Sequence, residues 1–323
     1  MESVLSPAAS VETRPRKKRI QAWKWAPYLF ISPFLIIFCV FGIFPLVFSA
    51  TLSFAQWDPA AGFSAIKWIH FDNYKFVLTD TWFWKSLGNT VYIAIASGLP
   101  QHLVAIPFAA FLSTVLRGRN TVLGAYFMPF ITSSVAIALI FSSLFSKDFG
   151  AINAILMWLH GLPGIGMIFP DHKIDWLLDT SLVKPTVSFV VFWRYVGWNT
   201  VLYLAAMQTI PEDLYEAATL DGARTFRKFW HITLPMIRPM MFFAVSLTLI
   251  NNLQLFEEPF ILLGDNGGIG QAGMTTAMYM YRTAFYFSDF GTACAISWVM
   301  FIVIAVLSYG NHKLFALAGG KEE

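Results

Sequence analysis

The chain is divided into six long apolar runs, and that division limits its possible folds more than any other feature. The first, from Pro27 to Phe54, contains no charged residue, and five more follow over Leu87–Val115, Thr121–Phe145, Val183–Gln208, Met236–Leu263 and Asp289–Leu314. A helix needs about 20 apolar residues to cross the roughly 30 Å hydrocarbon core of a bilayer, and each run is long enough. The expectation is an all-α polytopic membrane protein with six transmembrane helices. Composition excludes the alternative of a soluble domain with one core: 57% of residues are hydrophobic and only 13% charged, and mean hydropathy is +0.59. The first run follows Arg14, Arg16, Lys17, Lys18 and Arg19 in the manner of a secretory signal. It is about twice the length of a signal's apolar core, so it reads as an uncleaved first helix.

The basic residues orient these helices. With the N-terminus in the cytoplasm, fourteen of the 22 Lys and Arg fall on the inner side, among them Lys24, Arg117, Arg119, Arg224, Arg227, Lys228, Arg238, Lys313 and Lys321. Seven fall outside, and Arg194 lies within the fourth run. That bias places both termini in the cytoplasm by the positive-inside rule. The segments Ala55–Ser86 and Ser146–Leu182 are then exterior, with Trp57, Trp68, Trp82 and Trp84 suited to the interfacial belt. Within the second, Gly150 to Leu159 has helical apolar spacing but is too short to span. The chain divides into a basic tail (1–26), a transmembrane domain (27–315) with a polar loop at 210–235, and a short tail (316–323).

That polar loop separates the fourth and fifth runs. Pro211 suits the first position of a helix, Glu212 and Asp213 complement its positive end, and small or apolar residues continue it to Leu220. Gly222 is placed to end it with a sharp turn. Phe226, Phe229 and Trp230 give a second short helix an apolar side, and Pro235 is expected to close the unit. By composition alone this is an amphipathic loop on the inner leaflet. The residues say more: Glu216-Ala217-Ala218, Gly222 after three positions, Ile232 after nine more, then Leu234-Pro235. This spacing resembles the EAA signature of permease subunits in bacterial ABC importers.

The resemblance implies the type I permease bundle, with coupling helices between membrane helices 4 and 5, and a place in the bacterial inner membrane. It assigns Glu216, Ala217, Ala218, Asp221, Gly222, Ile232, Leu234 and Pro235 to contact with a cytoplasmic ATPase. It also implies the partners: a second EAA permease in a heterodimer, two copies of an ABC ATPase, and an extracytoplasmic solute-binding protein. Ile210-Pro211, Asp221-Gly222-Ala223, Asn73-Tyr74, Asn89-Thr90, Asp175-Trp176-Leu177 and Tyr281 to Phe285 resemble the carbohydrate branch, of maltose, lactose and glycerol-3-phosphate type. Ser32-Pro33 through Pro45 resembles the first permease of such pairs. One departure is the loop Leu263 to Ile269, which keeps the glycines of a Thr-x-Gly-Gly-Pro motif found in relatives but lacks its proline.

No GxxxxGK[ST] occurs, so the chain has no P-loop of its own. It is expected to be a transport subunit and not an enzyme, with no cofactor of its own and with ATP and Mg held by the partner ATPase. There is no HExxH or G-x-S-x-G, and His160 and His172 share a loop without a third metal ligand. The expected surroundings are the lipid bilayer and other proteins, not nucleic acid.

Polar residues near the centres of apolar runs are costly in hydrocarbon and face a cavity or another helix. Gln101, His102, Thr132, Ser133, Ser134, Asn199, Asn251, Asn252, Gln254 and Ser297 are of this kind, with Trp198, Phe256 and Trp298 close in sequence. Amides that bond hydroxyls beside aromatic faces suit a neutral sugar. The candidate pathway residues are Asn251, Asn252, Gln254, Phe256, Asn199, Trp198 and Ser133. The competing role for each is interhelical hydrogen bonding. Glu257 and Glu258 fall at a depth similar to that of Arg194, which is expected either to pair with one of them or to snorkel outward. The function expected is import of an oligosaccharide by alternating access. The alternatives are a small polar solute such as glycerol-3-phosphate, which would want clustered cations, and an ion-coupled secondary transporter, which would want an acid at mid-membrane.

Overall fold

The computed structural model describes residues 20–114, 117–164 and 166–318. Most of both expected tails, including the basic cluster Arg14–Arg19, lies outside the described residues. Residues up to Thr51 form one unit and those from Leu52 onward a second.

In the first unit, α1 (Ile20–Phe38) passes through a π turn at Cys39–Ile43 into α2 (Phe44–Leu52). The helix therefore begins inside the stretch expected to be tail. Pro45 has no N–H for the carbonyl of Phe41, and the wider turn, closed by Phe44 N–H on Cys39 O, admits it without ending the helix. Phe34 with Phe38 and Phe44 with Phe48 stack at the i,i+4 spacing, with ring centroids 6.1 and 5.8 Å apart.

The second unit opens with a two-stranded hairpin, β1 (Ala55–Gln56) antiparallel to β2 (Lys67–Trp68), followed by α3 (Asp72–Thr79) and α4 (Thr81–Thr114). α4 starts ahead of the expected Leu87 because Asp80 caps it, accepting from the N–H groups of Trp82 (3.1 Å) and Phe83 (3.2 Å). Trp82 and Trp84, expected in an exterior loop, are thus helical. α5 (Arg119–Ile131) and α6 (Ser134–Leu144) occupy the third expected span, but they are bent by 95°. Thr132 and Ser133, with ψ of 145° and 132°, make that turn, so a single straight helix over Thr121–Phe145 is not what forms.

The short helix expected near Gly150 is α7 (Ala151–His160). α8 (Val183–Met207) is 25 residues long, about 37 Å. Beyond it come α9 (Glu212–Leu220), α10 (Thr225–Lys228), α11 (Leu234–Met236), α12 (Arg238–Leu253), α13 (Glu257–Leu263), α14 (Thr276–Phe285) and α15 (Phe290–Ala318). By length and composition, four helical stretches among the described residues can cross a membrane: Trp25–Leu52, Thr81–Thr114, Arg238–Leu263 and Phe290–Leu317. The bent α5–α6 pair adds a fifth if it counts as one span.

α8 lies deep in the bundle. Ala105, Ala109 and Leu112 of α4 meet Val196, Tyr203, Leu204 and Met207 of α8 in one buried cluster. Toward the other end of α8, Val187, Val190 and Val191 pack with Ile93, Ile137, Phe141 and Leu262. Crossing α5 requires a residue without a side chain: a Cβ on Gly197 would lie 2.0 Å from Tyr126 O.

The residues that carried the carbohydrate-branch resemblance outside the polar loop mostly hold loops onto this bundle. Asn73 Nδ2 donates to the carbonyls of Ser53 and Ala55, both at 3.0 Å, and its Oδ1 accepts from Thr292 Oγ1. Asn89 Nδ2 donates to Gln271 O and Met274 O, both at 3.1 Å, and Thr90 Oγ1 accepts from Thr276 N–H. Trp176 Nε1 and Ile174 N–H donate to Asn153 Oδ1. Because the obstruction at Gly197 is backbone, Gly197→Ala should destabilise the detergent-solubilised protein by more than the ~1–3 kcal/mol typical of an overpacked core methyl, read as a lowered thermal midpoint. An unchanged melting curve would contradict the close crossing.

Candidate functional site

The loop between α8 and α12 is a helix, a left-handed turn and a second helix. α9 opens at Glu212, with Pro211 as its flanking residue (ψ 133°) and not as its first helical one. Glu212 and Asp213 lie in the first turn, against the positive end of the dipole. At the other end Gly222 adopts φ +77°. Gly222 N–H reaches Thr219 O at 3.0 Å and Ala223 N–H reaches Ala218 O at 2.8 Å. These are the two bonds of a Schellman motif, which satisfy carbonyls the helix end leaves open. A Cβ at Gly222 would meet nothing within 4 Å, so glycine is required there by backbone conformation and not by space.

The second helix does not stop at Pro235, as expected. It continues from α10 through a π turn at Phe229–Thr233 into α11, with Leu234 N–H donating to Phe229 O. The missing N–H of Pro235 is accommodated in the same way as that of Pro45.

One side of this segment is fastened and the other is open. Tyr215 OH and Thr233 Oγ1 share a hydrogen bond at 2.9 Å that ties the two helices together. Tyr215, Ile232 and Leu234 pack on the cluster formed by Tyr203, Met207, Ile210 and Ile237. Glu216, Ala217, Asp221, Gly222 and Pro235 are exposed, and Ala218 is half-buried. Leu220 and Phe226 are 89% and 74% exposed. Large apolar side chains held open in this way mark a surface that meets another protein or a membrane.

The mid-membrane polar residues separate into two sets. Asn199 and Asn252 are buried: Asn199 Nδ2 donates to Gln101 Oε1 at 3.0 Å, and Asn252 Nδ2 donates to Ser97 Oγ at 3.1 Å, beside Gly98. Both join other helices to α4, the competing role weighed for them. Asn251 and Gln254 are instead exposed. Gln254 and Phe256 line a cleft of about 700 Å³ between α12, α14 and α15, with Tyr281, Ser297, Met300 and Ser308. Phe256 packs on Phe260 and Tyr281, with ring centroids 4.8 and 5.2 Å away. Trp198 stacks on Phe130 at 4.6 Å, near the break that carries the exposed Ser133. Met300 and Ser308 are not among the pathway residues expected from the sequence, although their spacing from Ser297 puts all three on one face of α15.

The acids next to this cleft are both engaged. Glu258 is buried and accepts from Arg194 Nη1, so α13 is joined to α8. Glu257 accepts from Ser134 Oγ, the first residue after the 95° bend, so α13 is joined to α6 as well. Among the described residues, no group of three His, Cys, Asp or Glu could hold a metal.

Residues 83–316 match the family described as the binding-protein-dependent transport system inner membrane component. The chain belongs to that family. It is 35% identical over 306 residues to a probable ABC transporter permease protein, YurN, of Bacillus subtilis (strain 168), covering 93% of this chain and 98% of the relative. It is 31% identical to the arabinooligosaccharides transport system permease protein AraP of the same organism, covering 90% of this chain and 88% of the relative. In structure it resembles a chain of a bacterial alginate ABC transporter solved with an alginate pentasaccharide-bound periplasmic protein. The TM-score is 0.78 over 95% of this chain and 99% of the other, at 22% identity, a likeness of fold.

Family membership makes the protein a multi-pass inner-membrane transport component and not an enzyme, and it gives the Arg194–Glu258 pair a setting. Removing one partner of a buried ion pair strands the other charge, at a cost of about 3–5 kcal/mol, whereas replacing both with apolar residues is often neutral. Arg194→Met alone should therefore lower the melting temperature of the purified protein markedly, and Arg194→Met with Glu258→Met should restore most of the loss. Additive losses in the double variant would mean that the two residues are not energetically coupled.

Proposed function

We propose that this chain is one of two six-span permease subunits of an ATP-driven importer for an oligosaccharide, with both termini in the cytoplasm. The spans would be α1–α2, α4, the bent α5–α6 pair, α8, α12–α13 and α15. α8 carries Lys184, Arg194 and Asn199 and buries Asn199 and Thr200 among its neighbours, which suits a helix enclosed by other helices and not by lipid. The observation that carries this reading is the segment Glu212–Met236: it has the EAA spacing, an open apolar face, and a firm attachment to the cluster that joins α8 to α4. A partner ATPase that pushed on Leu220 or Phe226 would move α8, because the segment cannot yield at its Schellman turn without breaking two hydrogen bonds. Two copies of that ATPase would hold ATP and Mg, and an extracytoplasmic binding protein would deliver the solute.

The sugar is supported by the relative named for arabinooligosaccharides and by the cleft, where the amide of Gln254 stands beside Phe256 and Tyr281. In this reading Gln254, Phe256, Asn251, Trp198 and Ser133 face the pathway, while Asn199 and Asn252 set the helices that carry them. A glycerol phosphate would need clustered cations, and the cleft is lined by none while Arg194 is engaged by Glu258. An ion-coupled carrier would need an unpaired buried acid, and Glu258 is paired.

Gly222→Val forces a β-branched residue into the left-handed region, at about 1–2 kcal/mol or more. The variant should insert and assemble normally but lose uptake of labelled oligosaccharide and the stimulation of ATPase by the loaded binding protein. Normal uptake would end the coupling role of this segment. Gln254→Leu should reduce uptake several-fold with assembly and basal ATPase unchanged; full uptake would remove Gln254 from the pathway.

A further inference from the structure

Residues 149–170 contain no Asp, Glu, Lys or Arg, although Lys147, Asp148, Asp171, Lys173 and Asp175 stand on either side of them. Their helix, α7, turns its faces the opposite way from a helix bathed in water. Asn153 is buried, and its Nδ2 donates to Lys147 O at 3.0 Å and to Ile174 O at 2.8 Å. Ala151, Ala154, Ile155 and Trp158 are exposed. Their spacing makes them one stripe of the helix, on the side away from Asn153. Phe149 and Met167, at the two ends of the helix, are each 94% exposed.

This exposure is held in place. A Cβ on Gly150 would lie 2.3 Å from Ser146 O, and one on Gly166 would lie 2.1 Å from His160 O. The chain after α7 is thus folded back on His160, whose Nδ1 is 3.0 Å from Phe169 O. The charges gather at the base of the segment, next to the backbone that Asn153 holds: Lys147 pairs with Asp175 at 3.5 Å, and Lys173 Nζ donates to Asp148 O at 3.0 Å.

Apolar surface of this kind marks contact with a protein or a membrane. Two observations favour the membrane. α6 ends at Leu144 and α7 begins at Ala151, and Ile152 packs on the cluster of Phe141, Phe145 and Val187. The stripe is therefore continuous with the exterior end of the apolar bundle. Its chemistry agrees, because interfaces that form and dissolve carry about one hydrogen bond per 100–200 Å². Among the side chains of the stripe only Trp158 has a polar atom, an indole N–H suited to the headgroup level.

We propose that α7, with Phe149 and Met167, is seated in the exterior interface of the bilayer, its stripe sunk about 5–10 Å to the boundary of headgroups and acyl chains. Asn153 also accepts from Trp176 Nε1, so this seat fixes the loop that leads from α6 to α8 at the lipid surface. The assignment rests on the orientation proposed above, and the two can fail separately. Wall-free cells carrying the complete transporter are first treated with a membrane-impermeant amine reagent. Modification of Lys173 is expected; modification only after lysis would reject the orientation and this seat with it.

The unmutated complex is then placed in nanodiscs containing a phospholipid with a diazirine in its acyl chain, without binding protein, and footprinted with hydroxyl radicals. Oxidation of Phe149, Trp158 and Met167, each relative to the unfolded chain, should be several-fold slower than that of the exposed His172. Photolysis should attach lipid to the peptide that carries α7. Rapid oxidation would overturn the seat, as would protection that appears only when binding protein is added, which would make the stripe its docking surface. Protection without lipid adducts would overturn it too, by assigning the stripe to another subunit, and in all three cases the orientation would stand.

Discussion

The whole bundle depends on α8 lying close against its neighbours, and that closeness depends on missing side chains. Gly197 leaves no room for a Cβ against the carbonyl of Tyr126, and Ala105 and Ala109 let α4 approach Tyr203 and Leu204 from the other side. In lipid, burial of apolar surface does not drive helices together, because the tails are as apolar as the side chains. Packing and hydrogen bonds are left to do so, and both act only at short range. Asn199 reaching Gln101 across the same interface is the polar half of that solution.

With α8 fixed in this way, the two departures from straight helix acquire a common anchor. The chain turns by 95° after α5 and interrupts α12–α13 near Gln254. Each break frees backbone groups that hydrocarbon cannot satisfy. Glu257 and Glu258 at the start of α13 join the broken elements to each other and to α8 through Ser134 and Arg194. Gln254, at the interruption, is also the amide that opens onto the cleft. Irregular backbone and candidate site coincide because both need polar groups sheltered from lipid.

The segment Glu212–Met236 is fastened to the far end of the same helix. Tyr215, Ile232 and Leu234 join the cluster that holds Tyr203 and Met207. The π turn before Pro235 carries the helix on to Met236, and Ile237 alone separates it from α12.

What the sequence determined by itself was whatever depends on consecutive residues. Run length and apolarity located the long helices, and the spacing from Glu216 to Pro235 located a helix that ends in a left-handed turn at Gly222, because span length and left-handed backbone are local properties. Depth along a helix is also nearly local, which is why Arg194 and the acid pair could be matched in advance. The tertiary structure decided which way side chains face. It turned Asn199 and Asn252 inward, chose Glu258 over Glu257 for Arg194, and bent the third span at Thr132–Ser133. It also brought Trp82 from one end of the sequence to Gln271 and Arg282 near the other. Facing depends on which distant helix lies alongside, and a single run of residues contains no record of that neighbour.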